Sequence, residues 1–90
     1  MKLTMQLLRC GSRSMEEYAQ TANVSSNGVL FHSVIKPTVG DPVEYVLTLT
    51  PETGARKPVK IYCMGKVVRQ DDETRTAATL ERYEFLRPSH

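Results

Sequence analysis

The sequence predicts an all-β domain, a six-stranded antiparallel β-barrel with a short C-terminal helical turn. Three observations carry this prediction. Apolar residues recur with a period of two in short runs. Those runs are separated by Gly, Pro, Asn and Asp, the residues that make turns. No helical crossover lies between them, which implies antiparallel neighbours and favours closure, because closure removes exposed sheet edges. At 90 residues the chain forms one domain, residues 1–90. Its 40% hydrophobic and 24% charged residues are globular proportions that exclude wholesale disorder.

The first strand falls at about 2–9, where Leu3, Met5 and Leu7 alternate with Lys2, Thr4 and Gln6. Cys10-Gly11-Ser12 reads as a turn. A weaker strand follows at about 16–24 with Tyr18, Gln20, Ala22 and Val24 on one face, although Met15-Glu16-Glu17-Tyr18 also reads as a helical start. The third strand runs from Gly28 to Ser33, and Lys36 to Pro42, with two prolines and a glycine, is a loop. The clearest strand is Val43 to Thr50, whose apolar face is Val43, Tyr45, Leu47 and Leu49. Pro51 to Pro58 is a connection of hairpin length. The fifth strand, Val59 to about Gln70, is long, and Gly65 in its middle marks a bulge or bend. Asp71-Asp72-Glu73 turns the chain into a sixth strand at Arg75 to Glu81. Finally, Arg82, Phe85 and Leu86 are spaced as on one helical turn, which Pro88 ends. Tyr83, Phe85 or Leu86 is expected to plug or cover the barrel.

Composition narrows the function. A net charge of +2 lacks the strong basic stripe of a nucleic-acid binder but permits a small anionic ligand. No run approaches the roughly 18 apolar residues of a membrane span, and Thr4, Gln6 and Arg9 interrupt any secretion signal. Cys10 and Cys63 form no CxxC spacing and read as reduced thiols at apolar positions of a cytoplasmic protein. Histidine occurs at positions 32 and 90 alone, Asp71 and Asp72 sit together in a turn, and P-loop, GxGxxG and HExxH patterns are absent. The chain is therefore read as a non-enzyme without a cofactor. At this size a single core supplies about 3–5 kcal/mol, so a ligand, a partner or a second copy would help to stabilise it.

One stretch stands apart: Asn23-Val24-Ser25-Ser26-Asn27-Gly28-Val29-Leu30-Phe31. Asn-Gly is a strong hairpin signal, and Asn and Ser cap turns, so the stretch is explained by structure alone. It is equally a way to present Asn23 and Ser25 from a strand end, with Gly28 supplying a positive φ and close backbone approach for a ligand. The pattern, Asp-or-Asn-x-Ser-x-x-Gly before an apolar strand, resembles the signature of PilZ domains, small six-stranded bacterial barrels that bind cyclic di-GMP. Val39-Gly40-Asp41-Pro42-Val43-Glu44, Cys63 to Arg69, and Ala77-Ala78-Thr79-Leu80 leading into Tyr83-Glu84-Phe85 are similar to that family's successive strands, so the likeness covers about residues 2–87.

The family's second signature, Arg-x-x-x-Arg, has one literal match, Arg9-Cys10-Gly11-Ser12-Arg13. A guanidinium fork can grip the O6/N7 edge of guanine, stack on the base or meet a phosphate. In the family the arginines precede the first strand, whereas here only Ser14 to Ala22 separates Arg13 from Asn23. With the strands as assigned, Arg9 and Arg13 flank a turn and the family's arginine segment would precede Met1. With a barrel beginning at Met15, they would occupy the family position.

The resemblance implies a receptor module that binds cyclic di-GMP through Asn23, Ser25, Gly28, Arg9 and Arg13 and relays the signal to a protein partner. The alternative is a divergent adaptor of the same fold that binds a protein instead. A third reading, an oligonucleotide-binding barrel, rests on Lys60, Tyr62 and Lys66 along one side of the fifth strand with Met64 between them.

Overall fold

The computed structural model of the chain describes residues 2–32, 37–50, 57–71 and 75–86. Within them lie seven strands: β1 (Lys2–Cys10), β2 (Arg13–Val24), β3 (Gly28–His32), β4 (Pro42–Thr50), β5 (Val59–Gln70), β6 (Arg75–Thr79) and β7 (Arg82–Leu86). Every pairing is antiparallel. The order β4-β1-β2-β3-β6-β5 closes where β4 pairs back onto β5, making a six-stranded barrel. Among the described residues there is no helix, and so none long and apolar enough to cross a membrane. Ser33 of the third strand, Lys36, residues 51–56, the acidic residues 72–73 and the tail from Arg87 to His90 lie outside the described residues.

The period-two pattern builds the interior. Met5 and Leu7 of β1 and Val43, Tyr45 and Leu47 of β4 are buried, as are Val29 and Phe31, Cys63 and Val67, and Ala78. Leu3, Ala19, Val24, Ile61 and Leu80 pack against them. The face expected for β2 is corrected. Ala19 packs inward while Tyr18 is 75% exposed, and a bulge between Thr21 and Asn23 resets the alternation so that Val24 rejoins the interior. Residues 15–18 form no helical start, because the neighbouring edge of β1 pairs with them, Leu7 opposite Glu17 and Gln6 opposite Tyr18.

The C-terminal helical turn is also corrected, since its residues are β7. β6 covers only the Val67–Gln70 end of β5, leaving Lys60–Met64 with one unsatisfied edge that β7 fills. Tyr83 and Phe85 stand opposite Cys63 and Ile61 yet remain exposed. Rather than plugging the barrel, they rim an apolar cavity of about 530 Å³ at its mouth, with Leu3, Leu49, Ile61 and Leu80 behind them.

Gly65 marks the step from β6 to β7. A methyl group there would meet the Thr79 carbonyl oxygen at 1.8 Å, so only glycine lets the two backbones cross. The crossing is tied down on all sides. The Tyr45 hydroxyl donates to the Thr79 carbonyl at 3.2 Å, the Lys66 amide to Thr79 Oγ1 at 2.9 Å, and Thr79 Oγ1 to the Glu81 carboxylate at 2.8 Å. The amides of Leu80 and Glu81 donate to the carbonyls of Asn27 and Met64.

Candidate functional site

The register across β2, β3, β6 and β5 sets Asn23 opposite Leu30, Leu30 opposite Ala77 and Ala77 opposite Arg69. The next row, Val24, Val29, Ala78 and Val67, packs inward, so strand alternation turns the first row outward. Bulges at Thr21/Asn23 and Val67/Arg69 lie at the two ends of this row and dish the surface between them. The result is a concavity of about 250 Å³. Leu30 and Ala77 line its floor, Asn23, Ser25 and Asn27 line one side, and Val68 and Arg69 line the other.

The turn from Val24 to Gly28 holds the polar side in place. The Ser25 amide donates to the Gly28 carbonyl at 2.9 Å. The Ser25 hydroxyl donates to the same carbonyl at 3.4 Å and accepts from the Asn27 amide at 3.3 Å. Both hydroxyl contacts are longer than a good hydrogen bond, so a ligand can take them over at small cost. The Asn23 side-chain carboxamide makes no hydrogen bond among the described residues, leaving two donors and an acceptor at the edge of the concavity.

Gly28 is corrected in its reason. Positive φ occurs at Gly11 and Gly40, not at Gly28. Gly28 is glycine because a Cβ would stand 2.5 Å from the Ala78 carbonyl oxygen of the neighbouring strand. Gly11, with φ of 65°, makes the predicted turn between β1 and β2.

Arg69 is the site residue that sequence reasoning missed. Its Nε lies 2.6 Å from Asp71 Oδ1, and the Arg69 side chain is 65% exposed. An ion pair this open contributes little, about 0–1 kcal/mol, so an anionic ligand can compete for the guanidinium. Its strand, Val59 to Gln70, was legible in the sequence. What was not legible is that three successive pairings bring Arg69 to the same row as Asn23.

The structure separates Arg9 and Arg13 from this concavity. They sit at the end of β1 and the start of β2, where Cys10 pairs with Arg13, ten residues along β2 from Asn23. At about 3.3 Å per residue the path along the strand is at most roughly 33 Å, several times the reach of an arginine side chain. Arg9 Nε lies 3.3 Å from Glu44 Oε2. The other oxygen of Glu44 accepts from the Tyr62 hydroxyl. This cluster belongs to β1, β4 and β5, and in the ring order β4 and β1 lie across the barrel from β3 and β6. Asn23, Ser25 and Gly28 are thus brought together, and the two arginines are not. Lys60, Tyr62, Met64 and Lys66 do share a side of β5, but the Tyr62 hydroxyl is engaged by a carboxylate there.

Both cysteines are free thiols. Burial, and to a lesser degree Asp41, raises the Cys10 pKa against the pull of Arg13. Burial pushes the Cys63 thiol up to about 11 from 9.0. Neither carries the thiolate character of a nucleophile. Comparison of the chain with protein-family models, with curated proteins and with solved structures gives no match.

Proposed function

We propose that this barrel is a non-catalytic receptor module of the PilZ type, which binds cyclic di-GMP in the concavity of β2, β3, β6 and β5 and relays the signal to a protein partner. One observation carries the reading: Asn23, Ser25 and Gly28 line a single concavity with Arg69 on its opposite side. An amide and a hydroxyl at one edge can match the donors and acceptors of a guanine edge. The shallow floor admits the flat base, and a guanidinium across from them can meet a phosphate. At about 250 Å³ the concavity is smaller than the roughly 300–1,000 Å³ that encloses a whole drug-sized ligand. It therefore holds one part of the dinucleotide and leaves the remainder at the surface, where a partner can read it.

Calorimetric titration of the chain with cyclic di-GMP tests this. Asn23→Ala and Arg69→Ala are each expected to weaken binding by about tenfold or more, the worth of one hydrogen bond to a charged or polar ligand group. Arg9→Ala and Arg13→Ala should leave it unchanged. Absence of heat at saturating nucleotide, together with an unmoved melting temperature, would sink the proposal.

The adaptor reading is favoured by a different observation: Arg9 and Arg13 lie at the β1–β2 turn, ten residues along β2 from Asn23 at the strand's other end. On that reading the fold binds a protein, and the nucleotide titration is silent with every variant.

A further inference from the structure

We propose that the outer edge of β7 is a homodimer interface, at which two copies of the chain pair antiparallel about Tyr83. Among the described residues β7 pairs with β5 alone. Its other edge therefore offers a row of backbone donors and acceptors, the feature that recruits a further strand. Soluble proteins guard such edges with charges, Pro or bulges. The short run Arg82–Leu86 has neither Pro nor bulge, and its two charges, Arg82 and Glu84, are of opposite sign and so can pair with a second copy of the same strand. The run also presents Tyr83 at 62%, Phe85 at 60% and Leu86 at 42% exposure. Tyr83 and Phe85 hold each other edge to face with centroids 6.0 Å apart.

The charges say which strand fits. A two-fold interface has to be self-complementary, with each residue meeting its counterpart both ways. With Tyr83 opposite the partner's Tyr83, Arg82 stands opposite the partner's Glu84, and Glu84 opposite the partner's Arg82. Both charges on the outer side are then matched, while the two tyrosines meet on the inner side, beside the apolar cavity they rim. Sliding the register by two residues sets Glu84 against the partner's Glu84 and loses both matches. A pairing of so few residues lies at the small end of interface sizes, so the dimer is weak and concentration-dependent.

Sedimentation velocity on the whole chain, over a series reaching about 1 mM, is expected to show a monomer–dimer equilibrium. Glu84→Arg places two positive charges across each pair and should weaken association roughly tenfold or more, as should Arg82→Glu. The double exchange, Arg82→Glu with Glu84→Arg, restores it. A chain that is monomeric throughout the series overturns the proposal, as does association indifferent to Glu84→Arg or unrestored by the double exchange. Should either single variant melt early, hydrogen exchange on the unaltered chain decides. Protection at residues 83–85 that grows with protein concentration supports the interface, and protection independent of concentration overturns it.

Discussion

Single residues in this barrel act mainly through what is missing around them. Thr76 is completely buried, and its hydroxyl has no hydrogen-bond partner among the described residues. An unpaired buried hydroxyl costs about 1–3 kcal/mol, and valine keeps the β-branched shape that suits a strand. Thr76→Val is therefore expected to stabilise the fold by about 1 kcal/mol and raise the melting temperature by roughly 4–8 °C in a thermal scan. Unchanged or lower melting would mean that the hydroxyl finds a partner. The site residues illustrate the same logic. Asn23, Ser25 and Gly28 were legible because a short motif holds them within six positions. Arg69 was hidden because its place opposite Asn23 depends on three strand pairings that no local pattern encodes.

At the scale of elements, β5 organises the molecule by pairing with β4 along one edge and with β6 and then β7 along the other. The handover from β6 to β7 depends on Gly65, because the obstructing atom is a backbone carbonyl that cannot rotate away. Gly65→Ala is expected to cost at least about 3 kcal/mol, comparable with the whole net stability of a domain this small. Loss of amide dispersion in a two-dimensional NMR spectrum at 25 °C would report it, and a well-dispersed, native-like spectrum would refute it. The sequence marked the bend at Gly65 but read the final segment, from Arg82, as a helical turn. The spacing of Arg82, Phe85 and Leu86 does fit a turn, but over five residues a helix gains almost nothing by itself, whereas an open strand edge offers a full set of partners. Similarly, the β2 face was misread because one bulge at Thr21/Asn23 shifts the period-two count by a residue.

Over the whole molecule, the apolar core of the barrel encloses two titratable groups, Tyr45 and Cys63, in their neutral forms. Tyr45 and Cys63 pair across β4 and β5 and are fully buried, and burial raises both their pKa values. The Cys63 thiol titrates near 11 in the fold against 9.0 when exposed. A raised value means that the native state holds its proton more tightly than the unfolded chain. The stabilisation is complete below about pH 9 and is lost as pH rises through about 11. A shift of this size corresponds to about 3 kcal/mol, and the phenol of Tyr45 acts in the same direction. Denaturant midpoints should thus fall steeply between pH 9 and 11, and Cys63→Ala should flatten that fall even while lowering stability at pH 7. A midpoint level across this range would contradict the burial of both groups.

The sequence by itself determined the all-β class, the ends of six strands to within a few residues, the inward faces of β1 and β4, and the turn that presents Asn23 and Ser25. These are local properties, set by side-chain period and by the few residues that tolerate turns. The tertiary structure alone decided that Arg69, rather than Arg9 or Arg13, shares the concavity with Asn23. It also decided that Gly28 answers to a neighbouring carbonyl rather than to its own φ, and that the final segment is a strand. Each of these depends on which edge lies beside which, and edges meet only when the barrel closes.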